Sequence, residues 1–494
     1  MLEGASDRLR SMPESLKEKT VRGTIWSGID SIAGQGISFL VGLVLARLLS
    51  PQEYGLIGYI LIIVAILNSI VDSGFSNALI RKKDAGEVDY STTFIFNMVL
   101  SLLLAVVMAV TAGPVSRFLD EPELVPLIRA MSVIVVINAA AIVQRTTLTR
   151  RVDFKTQTKV SLISSGASGV VGIGMALCGM GVWSLVGQQI SRQLLNTAFL
   201  WVFNRWMPAL RFSWKSFREL FGFGWKLMVS GLIDTTWKEI YQLVIGKCYT
   251  TETLGQYTRG KQFSDIFSSN MTTIIQRVSY PVLSSVQDER TRLREGYRKI
   301  IKVSMLLSFV LLFGLGAVAE PLLYVLIGDQ WSEAAGYLQI IVFSACLYPL
   351  HAINLNMLQV QGRSDLFLKL EIVKKIVAVG PILLGIFISI EWMLWGSVLI
   401  GLFSFWLNSF YSGKMLGYGS WAQLKDILPS FGVALAMMAA LYALSLTGMP
   451  PFALLAVQLL AGAGITIGLC ELLGLEEYRE LKNIVLGLFR GRKA

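Results

Sequence analysis

The chain of 494 residues is 54% hydrophobic and only 16% charged, whereas ordinary soluble domains carry about 25% charged residues. This composition excludes a typical soluble globular protein and favours one that lies in a membrane. The formal net charge of +11 does not indicate nucleic-acid binding, because the basic residues fall in short loops between apolar runs, where they set membrane orientation.

The apolar residues form runs of about 20, the length that a helix needs to cross roughly 30 Å of hydrocarbon. Fourteen such runs predict an all-α integral membrane protein with about 14 transmembrane helices. The first six predicted spans are 24–46, 54–71, 91–112, 124–144, 158–180 and 183–203. After a basic and aromatic linker, the other eight are 222–246, 254–280, 301–319, 335–357, 366–389, 392–413, 429–447 and 452–473.

The charges of the loops predict the orientation of these spans, because short cytoplasmic loops are rich in Lys and Arg. Basic residues alternate cleanly from one loop to the next. The basic side carries residues 8–22, 81–83, 145–159, 205–218 and 290–302. The opposite loops carry few cations, such as Arg47, Arg117 and Lys247, among several acidic residues. The pattern predicts that both termini are cytoplasmic.

A weak internal repeat appears at an offset of 200 residues. It aligns Arg47, Ser50 and Gly55 with Lys247, Thr250 and Gly255. Such repeats are typical of transporters, and this one predicts two pseudo-symmetric six-helix lobes followed by two C-terminal helices. The predicted divisions are a cytoplasmic N-terminal segment 1–23, an N-lobe 24–203, a cytoplasmic linker 204–221, a C-lobe 222–413, the appended helices 429–473 and a cytoplasmic tail 474–494.

Several classes of enzyme lack their signatures in this sequence. There is no Walker A motif and no Gly-rich dinucleotide loop, and His351 is the only histidine, so ATP hydrolysis and metal-dependent hydrolysis have no visible site. The four cysteines are far apart and are interpreted as small hydrophobic residues. Every predicted external loop is too short to form a catalytic domain. The sequence therefore predicts a protein that is not an enzyme and has no cofactor.

Charged side chains inside predicted spans are the candidate functional residues, because each costs several kcal/mol unless it faces water or a partner. The seventh span holds Asp234 and Lys238 on one helical face with Gln242, and Glu239 lies beside them. Trp237 and Tyr241 lie next to Lys238 and are candidates for stacking on a sugar ring. Asp234, Lys238 and Glu239 make this span polar at membrane depth.

The eighth span runs antiparallel to the seventh and carries Arg259, Lys261 and Asp265. Counting inward from the shared loop puts Asp234 level with Asp265, and Lys238 level with Lys261. Two interpretations stay open. The preferred one is a cavity that binds an anionic headgroup, in which the two acids couple transport to a cation; the alternative is an ion-pair network that holds two helices together.

Other spans add charges to this candidate pathway. Arg192 lies near the middle of span 6, and Lys374 and Lys375 lie in the inner half of span 11. These three residues are predicted to bind substrate, although the two lysines could instead extend to the cytoplasmic interface. Asp30 lies in span 1 among small and polar residues, where it could line a cavity or belong to a close helix contact.

Five stretches resemble a known family: LARLLSPQEYG at 45–55, DSGFSNALI at 72–80, RVDFK at 151–155, YP at 280–281 and QGRSD at 361–365. Across nearly the whole chain, the sequence resembles the Wzx-type polysaccharide flippases, which are polysaccharide-synthesis transporters of the MOP superfamily. Within that family it is similar to the branch associated with export of colanic-acid-like and teichuronic-acid-like polymers.

The resemblance implies a transporter of the bacterial inner (cytoplasmic) membrane. Two lobes would pack as an inverted V around a cationic cavity and alternate between inward-open and outward-open states. The implied substrate is an undecaprenyl-pyrophosphate-linked oligosaccharide, moved to the periplasmic leaflet for exopolysaccharide, capsule or O-antigen assembly. The implied partners are the lipid bilayer, a polysaccharide polymerase and the export machinery, with H+ or Na+ as the candidate coupling ion.

Two other classes compete with a flippase. A multidrug or small-metabolite cation antiporter on the same scaffold would need an acidic, aromatic cavity, and the basic residues of spans 6, 8 and 11 argue against it. A membrane-embedded polysaccharide ligase or polymerase would need a large external domain, which the short loops do not provide. Polymer formation by the purified protein alone would favour the enzyme.

Overall fold

The computed structural model describes residues 34–72, 74–82, 84–209 and 211–490. Within these ranges every regular element is a helix, which confirms the predicted all-α class. The predicted N-terminal segment, residues 24–33 of span 1 and the candidate residue Asp30 lie outside the described residues.

The chain divides into two compact units, of which the first ends at Gly255 and the second begins at Gln256. The first unit contains α1 (Gln35–Leu48), α2 (Pro51–Asp72), α3 (Phe75–Arg81), α4 (Glu87–Leu119), α5 (Leu124–Arg150), α6 (Phe154–Leu177), α7 (Trp183–Asn204), α8 (Trp214–Cys248) and the first turn of α9 (Thr251–Ser285).

The second unit continues with the rest of α9 and ten further helices. They are α10 (Arg290–Ala317), α11 (Ala319–Ile327), α12 (Ser332–Ala345), α13 (Tyr348–Val360), α14 (Ser364–Val377), α15 (Val379–Phe387), α16 (Ile390–Leu416), α17 (Ser420–Ser445), α18 (Pro451–Leu472) and α19 (Glu476–Arg490). A short 3-10 turn, Asp329–Trp331, precedes α12.

Three helices of this unit end four residues before a proline, and the three ends have the same cause. A proline cannot donate a hydrogen bond to the carbonyl four residues earlier, and its ring clashes with that carbonyl. Helix α10 ends four residues before Pro321, α12 ends four residues before Pro349, and α14 ends four residues before Pro381. The predicted span 301–319 lies in α10 up to Ala317, and the predicted span 335–357 lies in α12 and α13, which together belong to one segment long enough to cross a membrane. The predicted span 366–389 is divided between the shorter helices α14 and α15.

Nine helical segments in the described part of the chain are long and apolar enough to cross a membrane. They are Pro51–Arg81, Glu87–Leu119, Leu124–Arg150, Phe154–Leu177, Arg290–Ala317, Asp329–Val360, Ile390–Leu416, Ser420–Ser445 and Pro451–Leu472. Helices α7, α8, α9 and α14 are not among them, and these four carry the charged candidate residues that the structure describes. The multi-pass membrane architecture is confirmed, and the number fourteen stays a prediction.

In the first unit, α5 packs against α2, α4 and α7. Helix α8 packs against α2, α3 and α4. Its first turns meet α3 and α4 through a cluster of aromatic rings formed by Phe75, Phe96, Phe217 and Phe221. The predicted C-lobe begins at residue 222, within α8, yet these contacts of α8 lie with helices of the first unit. The division of the chain into two six-helix lobes stays a prediction.

In the second unit, α10 packs against α12, α13, α17 and α19. Its Arg298 forms two hydrogen bonds of 2.6 Å to the carboxylate of Asp426 on α17. Lys302 lies one turn further along, and its ammonium nitrogen is 3.1 Å from carboxylate oxygens of both Glu476 and Glu477 on α19. Charged pairs therefore attach the C-terminal helix to the bundle.

We expect Lys302→Met to destabilise the protein by about 2 kcal/mol. Glu477 is only 2% exposed and would keep just one partner, the Ser430 hydroxyl at 2.7 Å. The measurement is thermal unfolding of the purified full-length protein. Lys299→Met is the matched control, because the pair that it forms with Glu480 is more exposed and should contribute less than about 1 kcal/mol. Equal loss of stability in the two variants would contradict the prediction.

Candidate functional site

A polar cavity of about 330 Å³ lies in the first unit between α2, α5 and α7. Its lining residues are Leu61, Val64, Asn68, Ile134, Arg145, Gln189, Arg192, Gln193 and Asn196. Two arginines and four amides therefore face one space, and no carboxylate belongs to this lining. The side chains offer many hydrogen-bond donors, as the binding of an anion requires.

The amides of the cavity form a hydrogen-bonded chain that joins the three helices. Gln193 on α7 donates to Asn138 on α5 at 3.0 Å, and Asn138 donates to Asn68 on α2 at 3.0 Å. This hydrogen-bonded chain links α7, α5 and α2, because the Asn138 amide in its middle both donates and accepts. The polar wall of the cavity is thus fixed by contacts that do not use the guanidinium groups.

The two arginines are less tightly engaged. Arg145 donates one long hydrogen bond, of 3.4 Å, to Asn196, and Asp72 lies within electrostatic range of it. Arg192 is half-buried and has no hydrogen bond or ion pair within the part of the chain that the structure describes. Guanidinium groups in this state retain most of their donors for a ligand.

Arg145 is the residue that sequence analysis missed. The prediction ended span 4 at residue 144 and assigned Arg145 to a cytoplasmic loop, but α5 continues to Arg150. A signal was present in the sequence, because Asn138 and Arg145 are seven residues apart and so share one helical face. On α7, Arg192 and Asn196 are one turn apart, so they also share one helical face.

The predicted pairs on α8 and α9 are formed within each helix. Lys238 lies 2.8 Å from Asp234, and both side chains are exposed; Lys261 lies 2.8 Å from Asp265 in a more buried place. Beside the first pair, Gln242 donates to Glu239. Each lysine is thus neutralised by the acid one turn away. The alignment of Asp234 with Asp265 stays a prediction.

Arg259 has a different environment from the two lysines. It is 2% exposed, donates to Gln262 at 2.6 Å, and its guanidinium carbon lies 5.3 Å from the centre of the Trp331 ring. Burial of this kind favours an anchoring role within the second unit over a cavity-lining one. Its contribution to substrate binding stays a prediction.

The remaining candidates lie on two helices. On α14, Lys374 forms an ion pair with Glu371 one turn earlier, and Lys375 is half-buried. On α8, Trp237 and Tyr241 are half-buried and one turn apart, which is compatible with a common face. Substrate binding by the lysines and sugar stacking by the rings stay predictions.

Comparison with known proteins identifies the family. The family model for polysaccharide biosynthesis proteins matches residues 44–336. The succinoglycan biosynthesis transport protein ExoT of Rhizobium meliloti is 28% identical over 67% of this chain and 68% of its own length. The lipopolysaccharide biosynthesis protein WzxC of Escherichia coli is 24% identical over 75% of this chain and 76% of its own length. The teichuronic acid biosynthesis protein TuaB of Bacillus subtilis is 25% identical over 71% and 73%.

Solved structures show the same fold at low identity. The lipid II flippase MurJ in an inward closed conformation matches with a TM-score of 0.69 and 14% identity, over 93% of this chain and 99% of that one. An inward-facing multidrug-resistance transporter of the MATE family matches with a TM-score of 0.58 and 14% identity, over 85% and 100%. That transporter is a member of the MOP superfamily, and this chain shares its fold. The chain belongs to the polysaccharide biosynthesis protein family, which confirms the resemblance to polysaccharide-synthesis proteins, and it has the fold of the MOP-superfamily transporters.

Proposed function

We propose that this protein flips undecaprenyl-pyrophosphate-linked oligosaccharides from the cytoplasmic to the periplasmic leaflet of the bacterial inner membrane. The observation that carries the proposal is the cavity lined by Arg145 and Arg192, in a chain that belongs to the polysaccharide biosynthesis protein family. Both termini are proposed to be cytoplasmic, as the loop charges predict. The products would serve exopolysaccharide, capsule or O-antigen assembly, with a polymerase and export machinery as downstream partners.

The chemistry of the substrate suits this cavity. A pyrophosphate cannot enter hydrocarbon without great cost, and guanidinium groups bind phosphate oxygens through paired, charge-assisted hydrogen bonds. Arg192 and Arg145 would bind the pyrophosphate, while Asn68 and Gln189 offer donors and acceptors for sugar hydroxyl groups. The lipid tail would stay in the bilayer throughout. No covalent bond is made or broken in this cycle, so the protein is proposed to act as a transporter and not as an enzyme.

A cation antiporter is the alternative function, since MATE transporters share the fold. A site for organic cations needs carboxylates or aromatic faces, whereas the cavity between α2, α5 and α7 is lined by two arginines among the residues that the structure describes. Its electrostatics favour an anionic ligand over a cationic one.

A flipping assay separates the two functions. The purified protein is placed in liposomes containing a fluorescent undecaprenyl-pyrophosphate-linked oligosaccharide, and a membrane-impermeant quencher reports which leaflet holds the sugar. We expect quenching of the inner-leaflet pool only in vesicles that contain the protein. Transport of an organic cation without movement of the lipid would contradict the proposal and favour the antiporter.

Coupling to H+ or Na+ is proposed to involve Asp234 and Asp265. Each carboxylate is paired with a lysine one turn away, so a bound cation could replace the lysine and release it for the substrate. Cation binding would shift the free-energy difference between two conformations of the transporter by the difference between the cation's binding free energies for them. Asp30 and Glu239 are further candidates for this role.

We expect Asp234→Asn and Asp265→Asn to make flipping insensitive to an imposed ion gradient. The same liposome assay is run with a proton gradient, with a sodium gradient and with neither, for the parent and for each variant. Glu252→Gln is a suitable control, because Glu252 is an exposed acid in the first turn of α9. Gradient dependence equal to that of the parent in both variants would exclude these acids as the coupling site.

A further inference from the structure

Asp72 is the last residue of α2, and it continues the face of that helix that lines the polar cavity. Val64 and Asn68 belong to the lining, and Asp72 follows Asn68 at the spacing of one helical turn. Asp72 is half-buried, and its carboxylate lies within electrostatic range of the Arg145 guanidinium. An acid is therefore placed beside a cavity whose lining, among the residues that the structure describes, holds two arginines and no carboxylate.

The three helices of the cavity run in the same direction. On α5 and α7, hydrogen bonds join residues in ascending order, since Thr197 donates to the Ile137 carbonyl and Asn204 donates to the Gln144 carbonyl. The starts of α2 and α5 are close together, because Thr251 contacts both the first turns of α2 and the loop just before α5. Positions along the three helices can therefore be compared directly.

The amide chain gives the register of these helices. Asn68 and Asn138 lie at one level with the α7 amide to which Asn138 is bonded. Asp72 lies four residues beyond Asn68, which is about 6 Å along α2. The Arg145 guanidinium donates to Asn196, three residues beyond the α7 amide and so about 4.5 Å along α7. The carboxylate and the guanidinium thus lie at similar levels on neighbouring helices.

The turn after α2 fixes the position of the acid. Gly74 has a φ of +69°, which other residues rarely adopt, and a β-carbon there would lie 2.4 Å from the Gly224 carbonyl oxygen on α8. Phe75 is fully buried in the aromatic cluster at the start of α8. The Ser76 hydroxyl donates a 2.5 Å hydrogen bond to the Asp72 carboxylate. These contacts anchor the stretch DSGFSNALI at 72–80 and hold its acid near the cavity.

We infer that Asp72 is the resident counter-ion of Arg145 and that it makes the cavity selective for anions that carry several charges. The carboxylate offsets part of the repulsion between the two arginines when no ligand is bound. A ligand has to compete with this carboxylate for the guanidinium. Chloride offers a single charge, whereas pyrophosphate offers several charges and oxygens for paired hydrogen bonds.

A repulsive group of this kind increases the difference between the affinities for a correct and an incorrect ligand. Asp72 is thus a positioning residue that acts through Arg145. The inference rests on the proposed function, because it concerns how the same cavity would select a pyrophosphate headgroup in a cell that contains chloride and other small anions.

The test measures binding of inorganic pyrophosphate to the purified full-length protein by calorimetry, in gluconate and chloride buffers of equal ionic strength. Asp72→Asn keeps an acceptor for Ser76 and removes the charge. In gluconate it is expected to bind pyrophosphate about tenfold more tightly than the parent, a ratio that corresponds to about 1.4 kcal/mol. Chloride should weaken binding to this variant and leave binding to the parent unchanged. Asp84→Asn, which neutralises an exposed acid after α3, should bind pyrophosphate as the parent does.

A double variant shows whether the effect depends on Arg145. When Arg145→Gln is already present, Asp72→Asn should change the affinity less than about twofold, because the two residues interact with each other. Asp72→Ser removes the same charge and carries the same expectations if the asparagine variant does not accumulate.

Two results would overturn the inference. One is equal pyrophosphate affinity, or equal lack of binding, in the parent and the neutral variants; the other is a tenfold gain that persists without Arg145. The proposed function is tested separately by the liposome assay. Absence of flipping by a parent protein that shows the expected binding pattern would refute the flippase and leave the role of Asp72 intact.

Discussion

Arg192→Gln is expected to slow flipping of the lipid-linked oligosaccharide about a hundredfold at normal protein abundance. Glutamine keeps much of the volume and a polar end but loses the charge and the paired donors that bind phosphate. Charge-assisted hydrogen bonds contribute about 1.5 to 3 kcal/mol each, and about 2.7 kcal/mol corresponds to a hundredfold change. Arg145→Gln should act in the same direction. The measurement is the initial rate in the liposome assay.

Control variants decide whether the lower flipping rate results from a change in the cavity. Arg129→Gln removes a charge from the same helix as Arg145, but Arg129 is exposed and does not line the cavity; it should flip substrate at the parent rate. The double variant Arg145→Gln with Arg192→Gln should lose less than the product of the single losses, because the two residues would bind one group. Parent rates in both single variants would refute the role of this cavity in substrate binding.

Asn354→Leu is expected to destabilise the protein by about 3 kcal/mol. Asn354 is fully buried, accepts a 2.5 Å hydrogen bond from the Tyr297 hydroxyl and donates to Gln423 at 3.1 Å. Gln423 in turn donates to Ser412 at 3.1 Å. Leucine would leave the Tyr297 hydroxyl without its acceptor and the Gln423 amide oxygen without its donor, although the Gln423 amide nitrogen keeps Ser412. Each unsatisfied buried atom costs about 1 to 3 kcal/mol.

The change is measured as the midpoint of thermal unfolding of the purified protein in detergent, together with its abundance in the membrane. Asn356→Leu on the same helix is the control, since Asn356 donates one hydrogen bond, of 3.0 Å, to Ser279. It is expected to cost about 1 kcal/mol. If the two leucine variants unfolded at the same temperature as the parent, the network around Asn354 would contribute no net stability.

Much of the architecture followed from local sequence. Runs of about 20 apolar residues indicated membrane helices, because backbone groups in hydrocarbon must be satisfied within one helix. The helix breaks before Pro349 and Pro381 were missed, although their cause is local and readable from the chain. Fewer helices met the length and apolarity of a span than predicted, because α7, α8 and α9 carry charges and polar groups that lower their apolarity.

The sequence by itself determined the helical membrane class, the family and the candidate status of Arg192, since each depends on composition, short motifs or the cost of a charge in a span. Only the tertiary structure placed Arg145 and Arg192 in the lining of one cavity and Asn354 against Tyr297. The members of each pair lie on helices far apart in the chain, and their meeting depends on where each helix ends and which of its faces packs inward. A periodic pattern identifies a helical face, but the helix that covers that face is selected by packing of the whole bundle.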